Sequence, residues 1–246
     1  MYTPKQLSNL LLFDIETASN TSSVKDLSPR MQELWSKRSE FLRNMEKHPE
    51  NKNLSDDELF LNKAALHAEF GRVVCVSLGM IRFSPEGVPH LVLKTIASEN
   101  EVELLTKVFN TISAASKDNP LLKLCGHNVK RFDIPFLGKR SLICGLSTPD
   151  ILNVMDKKPW EIQVVDTTEV WSHGAWQEGF SSLDLIAACL NIDSPKDEMN
   201  GSNVTEYFWN GQLEEIKKYC GKDVITLANI LLAISKQEKL SNIVYK

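Results

Sequence analysis

The chain has 246 residues, of which 42% are hydrophobic and 24% charged, the profile of a soluble globular protein with enough length for a well-buried core in one large domain or two small ones. Its formal net charge of −4 excludes a general attraction to polyanions, so a nucleic-acid partner needs a local basic patch or bound cations. The five cysteines, Cys75, Cys125, Cys144, Cys189 and Cys220, are odd in number and widely spaced, with no CxxC pair, which favours small buried residues over disulfides or zinc. The N-terminus MYTPKQLSN lacks a basic region followed by an apolar stretch, and no apolar run approaches membrane-spanning length, so a cytoplasmic location without membrane association is expected.

In chain order, residues 8–16 (SNLLLFDIE) are an apolar run ending in carboxylates, the pattern of a buried central strand. Residues 20–70 are polar and helix-prone, and predict an inserted helical hairpin. HPENKNLSDDE separates its two helices, Ser55 caps the second, and Glu58 completes the capping box. The expected role of this hairpin is to cover a sheet edge; the alternative is one wall of a substrate groove. Strands follow at 72–82 and 90–97, joined by the turn residues of SPEGVP. A helix over 100–115 places Val102, Leu105, Val108, Phe109 and Ile112 on one face. Then come a strand at 121–126, a helix from about 132, a short strand at 162–166, and helices at about 182–191 and 212–236. Three strands joined without helices, then alternating helix and strand, indicate a mixed α/β sheet. No linker divides the chain, so a single domain over 1–246 is expected.

Four acidic residues stand out. On a strand, Leu12, Asp14 and Glu16 share one face, with Phe13 and Ile15 on the other. Two adjacent buried carboxylates repel and raise a pKa, a penalty that a hard divalent cation with oxygen ligands removes. Alone, an Asp-x-Glu at a strand end is ordinary. Asp133, in GHNVKRFDIPFL, opens a helix whose dipole favours a carboxylate, with Pro135 in the first turn. Tyr219 and Asp223 are four apart on the last long helix and face the same way. Gly221 between them costs about 1 kcal/mol relative to Ala in a helix interior. It points to close approach by another backbone or a ligand.

These segments, in this order, resemble motifs I, II and III of the DEDD exonucleases, in the subclass with tyrosine in the third motif. GHNVKRFDIPFLGKR in particular is similar to the proofreading exonuclease domains of family-B DNA polymerases and to stand-alone relatives. VVDT, SSLDLIAACLNI and GSNVTEYFWNG extend the likeness over almost the whole chain except 20–70. The resemblance implies a ribonuclease H-like α/β fold and metal-dependent 3′→5′ exonuclease activity, with Asp14, Glu16, Asp133, Tyr219 and Asp223 as catalytic residues. It implies two-metal hydrolysis with Mg²⁺ or Mn²⁺. Asp14, Glu16 and Asp223 belong to one ion, while the second is shared through Asp14 and supported by Asp133. Tyr219 positions the attacking water by hydrogen bonding, and nucleoside 5′-monophosphates leave from the 3′ end. The expected partner is a single-stranded 3′ end, DNA ahead of RNA, together with a replication or repair protein in trans. The alternatives are a 3′ exoribonuclease and a non-catalytic nucleic-acid-binding accessory protein.

Asn128, Lys130, Arg131 and Phe132 are the candidate substrate-binding residues; the basic residues here, with Lys139 and Arg140 two turns further on, suit either phosphate contacts or a solvated basic loop. Trp171, Trp176 and Phe180 suit either core packing or base stacking. Asp166 is read as the cap of the following helix and His127 as a shaper of the motif II turn. His67, His90, His127 and His173 show no zinc-ligand spacing.

Overall fold

The computed structural model describes residues 1–158, 161–175, 181–193 and 199–246. Its strands are β1 (Leu10–Ser19), β2 (Gly71–Phe83), β3 (Pro89–Ala97), β4 (Lys123–Gly126), β5 (Val164–Asp166) and β6 (Ile243–Tyr245). They form one mixed sheet in the order β5-β4-β1-β2-β3-β6. β1–β2 and β2–β3 pair antiparallel; β1–β4, β4–β5 and β3–β6 pair parallel. The helices are α1 (Pro4–Leu7), α2 (Pro29–Arg43), α3 (Asp56–Lys63), α4 (Glu101–Asp118), α5 (Asp133–Ile143), α6 (Thr167–Ser172), α7 (Leu183–Cys189), α8 (Val204–Trp209) and α9 (Leu213–Ile234). A mixed sheet with helices on both faces is the α/β architecture expected from the sequence. Among the described residues no helix is long and apolar enough to cross a membrane.

The alternation of β1 divides the core in two. Leu11, Phe13 and Ile15 pack with α4 and α5, whereas Leu10 and Leu12 pack with α9. Asp14 and Glu16 therefore project on the α9 face. On α4 the buried face is Glu101, Leu104, Leu105, Val108, Phe109 and Ile112, while Val102, expected inside, is exposed. Glu101 takes the inward position because Arg140 of α5 is buried against it. Nε and Nη2 of Arg140 lie 2.9 and 2.5 Å from the two Glu101 carboxylate oxygens, and Nη1 donates to the Ala68 carbonyl at 2.9 Å. Glu101 also accepts from the Val73 amide at 2.8 Å. Arg140 is thus a bolt between α4, α5 and the start of β2, and not the phosphate contact expected of it.

The insertion forms the predicted pair of helices, and Ser55 and Glu58 make the predicted capping box. It has its own apolar centre, where Trp35 meets Phe60 edge-on at 5.1 Å and Phe70 at 4.9 Å. It does not cover the outer strands of the sheet, β5 and β6. It packs instead at the C-terminal end of central β1, where Thr17 Oγ1 donates to the Ala65 carbonyl at 2.8 Å. α8 closes the same end, with Trp209 Nε1 donating to Ser19 Oγ at 3.0 Å.

Candidate metal centre

Parallel pairing of β1 with β4 runs only from Leu10–Lys123 to Leu12–Cys125, so the two strands part just before the carboxylates. This is where the chain order reverses across the sheet, the usual place for a crevice at strand ends. A register irregularity between Glu16 and Thr17 bends β1 immediately beyond. The Ile15 amide, left without a β4 partner, donates to Asp133 Oδ1 at 3.2 Å. Asp133, at the first residue of α5 and 4% exposed, is thereby tied to β1 between Asp14 and Glu16.

From the opposite side α9 supplies Tyr219, Cys220 and Asp223. The Tyr219 hydroxyl is hydrogen-bonded to Asp223, and burial beside Asp223, Glu16 and Asp14 pushes its pKa up. It keeps its proton at neutral pH and acts as a donor. Gly221 meets only ordinary contacts, its missing Cβ lying 3.4 Å from Thr95 Oγ1 and 3.6 Å from Leu93 Cδ2. The tight approach expected there occurs instead at Gly79 of β2, where a Cβ would come within 2.6 Å of Val224 Cγ1.

The electrostatics of this cluster are one-sided. Burial, then Asp223 and Asp133, hold the Asp14 carboxyl well above the usual range; burial, then Asp14 and Asp223, do the same to Glu16. The ionisable neighbours that act most on these two carboxylates, among them Asp223, Asp133 and Cys75, are acids or thiols. Burial pushes Asp133 up to about 7, against the opposing amide hydrogen bonds. Ligand atoms of Asp14, Glu16 and Cys220 lie within 4.8 Å of one another. Carboxylates converging in this way, two of them buried, offer the oxygen ligands that a hard divalent ion takes.

The loop before α5 is held by backbone geometry and by Asp166. A Cβ at Gly126 would lie 2.7 Å from the Phe13 carbonyl, so only glycine allows the chain to turn there. Asn128 is left-handed at φ 60°. Asp166 caps α6 and also accepts from the amides of Asn128 (2.9 Å) and Lys130 (3.0 Å). His127 Nε2 donates to the Ser181 carbonyl at 2.9 Å, while Nδ1 lies 2.9 Å from Thr167 Oγ1. Both residues fill the structural roles read from the sequence.

Of the candidate substrate contacts, Arg131 is exposed and Asn128 half-buried. Lys130 pairs with Glu169 at 2.6 Å and Lys139 with Glu69 at 3.1 Å. Phe132 packs on Phe136 at 5.4 Å and belongs to the core edge. Trp171 packs beside α7 and α9; Trp176 and Phe180 lie outside the described residues. Sequence reasoning passed over Cys220 as one more buried cysteine. Its neighbour Tyr219 was the available signal, since adjacent helix positions differ by about 100° and aim Cys220 at the sheet.

Residues 64–240 match the family model described as "Predicted 3'-5' exonuclease related to the exonuclease domain of PolB". No curated protein sequence matches the chain. Among solved structures, the family B DNA polymerase from the hyperthermophilic archaeon Pyrobaculum calidifontis aligns over 91% of this chain with 16% identity and a TM-score of 0.46. The chain spans 24% of that polymerase's length. The family model covers well over half of the sequence, including the second and third motifs, and the chain belongs to this family of PolB-related 3′-5′ exonucleases.

Proposed function

We propose that this exonuclease removes nucleotides from the 3′ end of single-stranded DNA by two-metal hydrolysis, in a single ribonuclease H-like domain carrying the helical insertion. One observation carries the reading: Asp14, Glu16, Asp133 and Asp223 come from three distant segments yet converge where β1, α5 and α9 meet, with Glu16 and Asp133 buried and Asp14 and Asp223 half-buried. Asp14, Glu16 and Asp223 would hold one Mg²⁺ or Mn²⁺, and Asp14 and Asp133 the other. When bound, such ions supply charge that polarises a phosphodiester and makes water a competent nucleophile at neutral pH.

The chain's own residues do the rest. Asp133 keeps its side chain on β1 through the Ile15 amide, so the α5 and β1 carboxylates share one frame. Tyr219, still protonated and bonded to Asp223, orients the attacking water toward the phosphorus. Arg131 and Asn128, at the mouth of the loop fixed by Asp166, are placed for phosphate contacts that position a strand without reading its bases. DNA is favoured over RNA by the relation to PolB.

The test is digestion of 5′-labelled DNA and RNA oligonucleotides with Mg²⁺, Mn²⁺ or EDTA. Stepwise shortening of DNA from its 3′ end with either metal and none in EDTA is expected. Shortening of RNA alone would reassign the substrate, and digestion undiminished by EDTA would overturn the metal mechanism.

A further inference from the structure

We infer that Cys220 is a positioning residue for Asp14: its thiol is the neutral donor that holds this carboxylate in place for cation binding. The inference rests on the metal-dependent reading above and names a residue outside the acidic set. Cys220 is fully buried on the α9 turn between Tyr219 and Asp223. Its Sγ lies 3.6 Å from Asp14 Oδ2 and 3.5 Å from the Asp14 carbonyl oxygen, so it contacts both the side chain and the backbone of that residue. A second buried cysteine, Cys75, stands opposite Glu16 in the β1–β2 register and belongs to the same packed cluster as Cys220. The thiol pair therefore spans the floor beneath both β1 carboxylates.

The chemistry gives this contact a definite sign. A hydrogen bond from a neutral thiol favours the charged form of the carboxylate that accepts it, without bringing a positive charge to the site. An ionised carboxylate and a backbone carbonyl only accept, so at 3.6 and 3.5 Å from these two oxygens the Cys220 thiol is the donor. A neutral donor beneath the carboxylate fixes Oδ2 and leaves its negative charge for a cation. A lysine or arginine in the same place would neutralise Asp14 and weaken its hold on a cation. Serine keeps the donor, while valine keeps the bulk and removes it.

The experiment measures Mn²⁺ binding to the full chain by the electron paramagnetic resonance of free Mn²⁺, with thermal unfolding in EDTA alongside. A hydrogen bond to a charged group sets the scale, at the weak end for a thiol, so Cys220→Val should raise the Mn²⁺ dissociation constant roughly 10-fold. Cys220→Ser should stay within about 3-fold of the unmodified protein, with both variants unfolding cooperatively in EDTA. Should valine fail to fold, Cys220→Ala removes the same donor and is read in the same way. Equal weakening by valine and serine, or no weakening by either, overturns the positioning role. If the unmodified protein binds Mn²⁺ and Cys220→Val binds it equally well, this inference alone falls. If the unmodified protein binds none, the metal-dependent reading falls and takes this one with it.

Discussion

Tyr219 and Asp223 share one helical face, but burial gives them different tasks. The hydroxyl lies among three carboxylates that push its pKa up, so it donates a hydrogen bond and does not take a proton. A group of this kind orients water and contributes little to holding a cation. Tyr219→Phe should therefore cost roughly 100-fold in kcat, near the lower end of the range for positioned proton-handling groups. The Mn²⁺ dissociation constant should stay within about 2-fold, because the carboxylates are untouched. Loss of metal affinity on a par with the loss of rate would show that the phenol maintains the cation site and not the water. The acidic residues and this tyrosine were legible in the sequence because their local contexts carry a motif. Cys220 was not, because a thiol in an apolar helix reads as core, and only the meeting of α9 with β1 brings it to Asp14.

At the scale of elements, apolar runs and capping boxes located the long strands and helices, where many residues repeat one pattern. Among the shortest elements, β4 and β5 were placed by their apolar runs, but α8 and β6 were missed. α8 spans six residues and β6 three, too few for a period to declare itself. The role given to Arg140 was wrong for a related reason. Asp133, Ile134, Phe136, Leu137, Arg140 and Ser141 are the buried positions of α5, so Arg140 stands on the inward stripe, and its charge obscured that in the sequence. Its partner Glu101 occupies the corresponding stripe of α4. Removing one member of such a buried pair strands the other, which typically costs about 3–5 kcal/mol. Arg140→Met should destabilise by that amount in urea unfolding. Adding Glu101→Gln should recover part of it, since glutamine still accepts from the Val73 amide. A cost for Arg140→Met below about 1 kcal/mol would mean that the pair does not anchor the helix carrying Asp133.

For the whole molecule, the acidic cluster ties stability to pH and to cations. An unfolded aspartate titrates near 3.9, whereas Asp133 in the folded protein is pushed up to about 7. The folded state thus holds this proton more tightly. The resulting stability is complete below about pH 4 and is lost as pH rises through about 7, at up to ~1.4 kcal/mol per pH unit. Half-buried His67 and His127 work in the opposite sense: their pKa values are lowered by burial, so the folded state gains stability as pH rises toward the ordinary histidine value, where the gain is complete. Comparison with Asp133→Asn isolates the carboxylate, because asparagine can still accept from the Ile15 amide. In EDTA, the asparagine variant should be more stable than the unmodified protein at pH 8, and the gap should close toward pH 5. Saturating Mn²⁺ should then stabilise the unmodified protein far more at pH 8 than at pH 5, because ionised carboxylates bind the cation and protonated ones do not. Thermal melts across this range decide the matter. A gap in EDTA that is absent, or that widens toward acid, would mean that Asp133 is not a carboxylate held under charge strain, and with it would go the argument that a cation completes this fold.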